Sequence, residues 1–275
     1  MNMKQSTITR YQLKAVIFDI LADCKKLKKE LSDAGVLILV PFFGLQVEHA
    51  LLEMLADIQL QAKECLMLTN NEQHAKIAEG LGMAVAGCVE GHFEVPKQVT
   101  LLESPSEVSV GYLNQVYCHA KKLPATITET RRCFIREMTA DDMDELYEIL
   151  MDEEVAKYLP AKVGSREEEL EKLTSYAAYV YSFFEYGYWG VFSKETGELL
   201  GRAGFKEGSY PLEAGYVIRR SDWGKGLATE VVSELVNYAR EELDSNEIYA
   251  IIDEQNTASL RVAEKCGLIC NGLRG

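Results

Sequence analysis

Apolar positions follow one rhythm in the first 120 or so residues and another in the remainder. Early on, unbroken apolar runs (KAVIFDIL from Lys14, GVLILVPFF from Gly35, ECLMLT from Glu64, MAVAGCV from Met83, VTLLES from Val99) alternate with segments of helical spacing at 22–35, 45–58, 71–82 and 106–124. A strand that is apolar on both faces has no wet side. Such strands separated by helices predict a parallel sheet covered on both faces. Pro124, just past the fourth helix, predicts the start of a linker. The glycines of GLGMAVAG (80–87) follow a helix and precede a strand, so they end one element and begin the next rather than cradle a dinucleotide.

Beyond that point the order changes. A strand at 132–139 is followed by an amphipathic helix at 140–151 and a longer one at 165–184. Strands at 188–195, 198–207 and 213–220 come next, the first two joined by Thr196-Gly197, a hairpin signal. A helix from Lys225 to Leu243, a strand at 247–254 and a helix at 257–267 complete the pattern, the last capped by Asn256 and stopped by Gly267. The fold class expected is α/β: a Rossmann-type parallel-sheet domain over 1–124, then a mixed-sheet α+β domain over 125–275.

Charge sharpens the division. Of the 43 acidic and 29 basic residues, 14 and 12 fall in residues 1–125, so most of the net charge of −14 belongs to the second stretch. That acidity excludes nucleic acid as a partner, because phosphates would be repelled. No apolar run reaches the roughly 20 residues a membrane span requires, and the N-terminus carries no signal-peptide pattern; a cytoplasmic location is expected. Seven cysteines are scattered singly and all four histidines precede residue 120. This pattern reads as reduced core thiols with no metal site.

The most informative stretch is EAGYVIRRSDWGKGLATEVV, residues 213–232. A strand hands over to a helix through two glycines flanking a lysine. Leu227, Val231, Leu235 and Tyr238 make an apolar stripe, with Glu230, Glu234 and Glu241 opposite, so the turn is a true helix start. The first N–H groups of a helix have no partner within it, and the helix dipole adds partial positive charge there. Gly224 and Gly226 keep side chains clear, Ala228 extends the access, and Lys225 adds a cation. Together they suit a pyrophosphate. The spacing is not that of a nucleotide P-loop, which excludes ATP and GTP.

The WGKGLATE turn, the NTASLRVAEKCGL helix and the order of elements resemble the GNAT acetyltransferase superfamily over about residues 130–270. The family turn is Arg or Gln, two residues, Gly, one residue, then Gly or Ala. Trp223 stands in the first place here, a variant similar to the branch of ribosomal-protein N-terminal and spermidine acetyltransferases. The resemblance implies acetyl-CoA as cosubstrate, no metal, and as acceptor the primary amine of a small molecule or a peptide N-terminus. It further implies that the main chain of Val217 and Ile218 pairs with the pantetheine arm, while Gly224, Lys225, Gly226, Leu227, Ala228 and Thr229 hold the pyrophosphate. Asn256 would orient the pantetheine or cap its helix. Glu213, beneath the thioester, is the base candidate, the alternative being a strand-end charge. A main-chain N–H of Val217 or a neighbour would face the thioester oxygen. Many members carry a tyrosine seven residues after this asparagine, where Ala263 stands; the branch named above has Ser three residues after it, and Ser259 fits as proton donor to the thiolate. Tyr176, Tyr179, Phe183, Tyr186, Tyr188 and Trp189 crowd the region bordering the acceptor, with one or two expected to line it. Glu153, Glu154 and Glu167 to Glu169 could attract a cationic amine or simply form a solvated face. After the last helix at most one short strand fits, at 268–272, where the family usually adds two, so an incomplete acceptor pocket is expected.

The first domain resembles the haloacid-dehalogenase-like (HAD) hydrolases at KAVIFD and at CLMLTNNEQHAKIAEGLGMAVAG. Asp19 stands at the nucleophile position, but Leu21 replaces the acid/base aspartate two residues on, and Asn70 and Asn71 replace a magnesium carboxylate. The resemblance therefore implies a trimmed domain without phosphate chemistry, serving structure, the acceptor side or a homodimer. A second reading of the whole chain is a non-catalytic CoA-binding or scaffolding protein.

Overall fold

The computed structural model describes residues 12–42, 46–89, 99–207 and 212–270. The chain divides into two compact units, Met1–Ala125 and Thr126–Gly275.

In the first unit, β1 (Ala15–Asp19), α1 (Lys25–Asp33), β2 (Leu37–Leu39), α2 (Val47–Asp57), β3 (Cys65–Thr69), α3 (Glu72–Gly80), β4 (Ala84–Cys88), β5 (Thr100–Leu102) and α4 (Val110–Ala120) follow one another. The strands form one parallel sheet in the order β2-β1-β3-β4-β5. β3 and β4 are buried along their whole length, as their continuous apolar runs require. Leu51 and Leu55 of α2, with Ala75 and Ala78 of α3, pack on Ile17 and Met67. Burying a leucine contributes roughly 1.5–3 kcal/mol, so this layer holds the strand ends in place.

The second unit begins with β6 (Thr126–Glu129), where a linker was expected. Thr126, Ile127 and Thr128 are β-branched and buried, and β6 pairs antiparallel with β7 (Cys133–Arg136). There follow α5 (Met143–Met151), the short α6 (Glu153–Ala156), α7 (Arg166–Phe183), β8 (Tyr188–Ser193), β9 (Leu199–Lys206), β10 (Glu213–Ile218), α8 (Leu227–Glu241), β11 (Tyr249–Ala250), α9 (Thr257–Cys266) and β12 (Ile269–Cys270). The sheet order is β12-β11-β10-β9-β8-β7-β6, antiparallel from β6 to β10 and parallel beyond. It is mixed, as expected, but β11 has two residues where eight were expected, because only Tyr249 and Ala250 find partners. Leu146, Leu150 and Leu173 of α5 and α7 cover one face with Phe134 and Phe192. Arg136 lies 3.7 Å above the Phe192 ring and makes two bonds to Asp142, at 2.8 and 2.7 Å. Among the described residues, no helix is long and apolar enough to cross a membrane.

Candidate functional site

β10 has β9 beside it through six register pairs, Glu213–Lys206 to Ile218–Gly201, yet meets β11 at one pair alone, Glu213–Tyr249. Past that point the two parallel strands part and leave a wedge. The phase of the ladder decides which residues face it. Arg219 donates its N–H to the Leu200 carbonyl at 2.7 Å, and Tyr249 donates to the Leu212 carbonyl at 3.0 Å. Bonded pairs alternate along an antiparallel ladder. Gly215 and Val217 therefore turn their main chain to β9, while Tyr216 and Ile218 turn theirs into the wedge. A Cβ on Gly201 would lie 2.0 Å from the Val217 carbonyl oxygen, which places that oxygen on the β9 side. The main chain of Val217 is thus already paired with β9, and of the two residues expected to offer theirs to a ligand only Ile218 faces the wedge, beside Tyr216. The Ile218 carbonyl accepts from Trp223 Nε1 at 2.7 Å, which is what the tryptophan does at the first position of the turn.

At the turn, Gly224 and Gly226 have φ of 74° and 72°, the left-handed region open to glycine at little cost. Gly226 is the N-cap of α8 and makes no side-chain cap; the first helical bond runs from Glu230 N–H to the Gly226 carbonyl. Among the described residues, none accepts from the N–H groups of Gly224 through Thr229. Nothing lies within 4 Å of the space a Cβ would take at either glycine. Leu227 is buried in the core, so it can offer a ligand only its main chain. Lys225 is not a free charge. Its Nζ lies 2.9 Å from Asp222, which also accepts from Arg219 Nε at 2.9 Å. Burial works against the Asp222 charge, but Lys225 and Arg219 hold its carboxyl below the ordinary value.

Helix α9 closes the wedge. Asn256 Oδ1 caps it by accepting from Ser259 N–H at 3.0 Å, and the Ser259 carbonyl accepts from the Tyr216 hydroxyl at 2.9 Å. Burial pushes the Tyr216 phenol up to about 12. Asn256, Ser259 and Tyr216 thus tie the first turn of α9 to the open side of β10. Ala263 is fully buried in the core.

On the opposite face of the sheet, alternation and register bring together Tyr188 of β8, Arg202 and Lys206 of β9, and Glu213, Gly215 and Val217 of β10. Glu213 is 5% exposed, with its carboxylate 2.9 Å from Lys206 Nζ. A Cβ on Gly215 would lie 2.4 Å from the Tyr188 hydroxyl, so this glycine makes room for that ring. Beneath α5 and α7 lies a cavity of ≈ 270 Å³ lined by Leu146, Leu173, Tyr176, Tyr188 and Arg202 among others. Tyr176 Oη accepts from Tyr188 N–H, and Tyr181 Oη donates to the Tyr188 carbonyl, both at 2.6 Å. Burial raises both phenols above their ordinary value. Of the six aromatic residues singled out in the sequence, Tyr176 and Tyr188 line the cavity, Trp189 is core, and Tyr179 and Phe183 are exposed.

The acidic run, expected either to attract a cationic amine or to form a solvated face, is partly engaged in local structure. Glu169 bonds Gly164 N–H at 2.9 Å and Lys172 at 2.7 Å, Glu168 bonds Ser165 N–H at 2.8 Å, and Glu154 pairs with Lys157 at 2.5 Å.

In the first unit, Asp19 ends β1 and Thr69 ends the adjacent β3. Asp19 Oδ2 accepts from Thr69 Oγ1 at 2.5 Å and lies 2.7 Å from His74 Nδ1. Asn71 caps α3, accepting from Gln73 N–H at 2.9 Å and His74 N–H at 3.1 Å. Leu21 is 97% exposed. Among the described residues of the whole chain, no three His, Cys, Asp or Glu side chains are grouped to hold a metal.

Known proteins share the second unit. Residues 132–269 match the family model for the acetyltransferase (GNAT) domain. The uncharacterized N-acetyltransferase YoaA of Bacillus subtilis (strain 168) is 30% identical over 151 residues, covering 54% of this chain and 85% of that protein. The uncharacterized N-acetyltransferase p20 of Bacillus licheniformis is 28% identical over 147 residues, 52% of this chain and 83% of its own. A crystal structure of a GNAT-family acetyltransferase from Bacillus anthracis covers 50% of this chain and 81% of its own, at 25% identity and a TM-score of 0.45. With half the chain matched by that family model, and an N-acetyltransferase relative covered over most of its length, this protein belongs to the GNAT acetyltransferases.

Proposed function

We propose that the second unit transfers an acetyl group from acetyl-CoA to the primary amine of a small molecule or of a protein N-terminus. One observation carries this reading: the N–H groups of Gly224 through Thr229 stand without acceptors at the start of a 15-residue helix, beside the open side of β10. Six donors at the positive end of a helix dipole fit a pyrophosphate. The wedge-facing main chain of Tyr216 and Ile218 fits an extended, amide-bearing arm, and an N–H there can also stabilise charge on a thioester oxygen. Lys225, held by Asp222, contributes position more than net charge.

Acetyl-CoA supplies an acyl thioester: the C–N bond forms as the C–S bond breaks, the amine gives up a proton, and the CoA thiol is the second product. An alkylamine has a pKa near ~10 and must be deprotonated to attack. Glu213 serves as that base. Lys206 Nζ stands 2.9 Å from its carboxylate, and its place at the closed end of the wedge sets it next to the reacting carbonyl. Ser259, held by Asn256 in the first turn of α9, returns a proton to the departing thiolate. Calorimetric titration with acetyl-CoA tests the reading, followed by an amine screen for free thiol release. Absence of binding at millimolar acetyl-CoA would refute it. Glu213→Gln is expected to lower kcat by about 10²–10⁴-fold while leaving the acetyl-CoA Kd unchanged.

For the first unit we infer a HAD-like layer that has lost phosphate chemistry. Asp19 is bonded to Thr69 and His74, and no acid stands at the exposed Leu21. At the Leu21 position a leaving alkoxide would find no carboxylic acid to protonate it. Magnesium-dependent hydrolysis of p-nitrophenyl phosphate that disappears in Asp19→Asn would overturn this inference.

A further inference from the structure

We propose that the acceptor amine carries a carboxylate, bound by Arg202, next to an apolar body of amino-acid size. This rests on the acetyltransferase reading above and narrows its substrate class. The observation behind it is a guanidinium without a hydrogen-bonded counterion: Glu169 lies close enough to feel its charge, but its bonds go to Gly164 N–H and Lys172. Arg202 lines the cavity under α5 and α7 and is half-buried, yet among the described residues no carboxylate, carbonyl or hydroxyl is bonded to its guanidinium. The Tyr188 ring lies beside it, 5.8 Å from guanidinium to centroid. That sits at the outer limit, about 6 Å, at which a cation still gains from a ring face. A guanidinium has five N–H donors in a planar fork that matches a carboxylate bidentately. Here the fork faces a cavity whose other walls are chiefly leucine, methionine, valine and tyrosine.

The remaining charges in that wall point the same way. Lys162, Lys172 and Arg202 are cationic, against the single carboxylate of Glu169, and Glu169 is already bonded to Lys172 and to Gly164 N–H. A chain with net charge −14 thus lines this cavity with positive charge. Such a wall repels a polyamine and attracts an anion. Size narrows the class further: ≈ 270 Å³ falls just below the roughly 300–1,000 Å³ of drug-sized sites, which suits one apolar amino acid and excludes a long chain. Position permits the reaction. Arg202 pairs with Val217 and Lys206 with Glu213 on the same face of the sheet. Guanidinium and base therefore stand four residues apart, about 13 Å between main chains at roughly 3.3 Å per residue. An arginine side chain and an amino acid together span that gap.

The test uses the full chain with L-leucine, L-methionine and L-phenylalanine as acids, L-leucinamide as the same body without the carboxylate, and spermidine as the polycation. Binding is measured by calorimetry in the absence of cosubstrate, and acetylation by thiol release. We expect at least one of the three acids to bind and to be acetylated with kcat/KM about tenfold or more above leucinamide and spermidine. Arg202→Met should abolish acid binding and erase that preference, and Arg202→Lys should restore part of it, with the acetyl-CoA Kd unchanged throughout. The proposal is overturned if leucinamide or spermidine matches the acids, if Arg202→Met keeps the preference, or if none of the three acids binds. Should acetyl-CoA itself not bind, the acetyltransferase reading fails. The cosubstrate-free binding arm then still decides whether Arg202 holds a carboxylate.

Discussion

Helices α3 and α8 both begin where the C-terminal end of a strand releases the chain, one in each unit, and they treat their first turn in opposite ways. At α3, Asn71 accepts from two main-chain N–H groups, and the nearby carboxylate of Asp19 is taken up by Thr69 and His74. At α8, the N-cap is a left-handed glycine with no side-chain cap, and among the described residues six N–H groups go without an acceptor. The dipole is common to both helices. What differs is whether the chain has spent it. An asparagine cap contributes about 1 kcal/mol to stability, and α8 forgoes that contribution at the place where a ligand can supply it.

Three measurements would break or sharpen this contrast. The largest effect is expected from Gly226→Glu, which puts an anion among the uncapped N–H groups where space is open. Acetyl-CoA affinity should fall about a thousandfold, roughly 4 kcal/mol, with only about 1–2 kcal/mol of strain from the left-handed backbone; retention of tight binding in calorimetry would break the contrast outright.

An intermediate effect is expected at a charged cap. Asp142 accepts from Thr139 N–H and from Arg136 just before α5, and although burial disfavours its charge, these partners hold its carboxyl below the ordinary value. Asp142→Asn leaves Arg136 without its counterion and should cost roughly 3 kcal/mol in urea unfolding. Because the folded-state value is depressed, this stabilisation is complete above the unfolded value near ~3.9 and is lost as pH falls through the folded one. The cost of Asp142→Asn should therefore shrink below about pH 4. A cost that stays constant down to pH 2 would show that the charge is not what matters.

The smallest effect belongs to the neutral cap. Asn71→Ala should lower stability by about 1 kcal/mol without touching acetyl-CoA binding, and a change in cosubstrate affinity there would mean that the two helix starts are not independent.

The sequence made some of this legible. The two glycines and the apolar stripe of α8 mark an uncapped helix start, because that information is local. The phase of β10 was not legible. Whether Val217 or Tyr216 faces the wedge depends on which residues of β9 it bonds, and nothing in residues 213–218 alone records that. Arg202 is hidden for a similar reason: in GRAGF it reads as one polar residue on a strand, and only the fold shows that it lines the cavity under α5 and α7. The sign that could have raised it is the glycine on either side at 201 and, two residues on, at 204, which strips neighbouring side chains from its surroundings. Strand β6 was taken for a linker because Pro124 outweighed the three β-branched residues behind it.

The single register pair between β10 and β11 has a last consequence. β10 sits third in a sheet of seven strands, yet along its C-terminal half it is, on one side, an edge strand. Exposed edges template pairing with other chains, and proteins usually guard them. This one lies inside the sheet, roofed by the α9 turn, where an intruding strand from another molecule meets a helix before it meets the unpaired amides. Solvent exchange would read this directly: in the free protein the Tyr216 and Ile218 amides should exchange faster than those of Gly215 and Val217, and bound acetyl-CoA should slow the fast pair to the pace of the slow one.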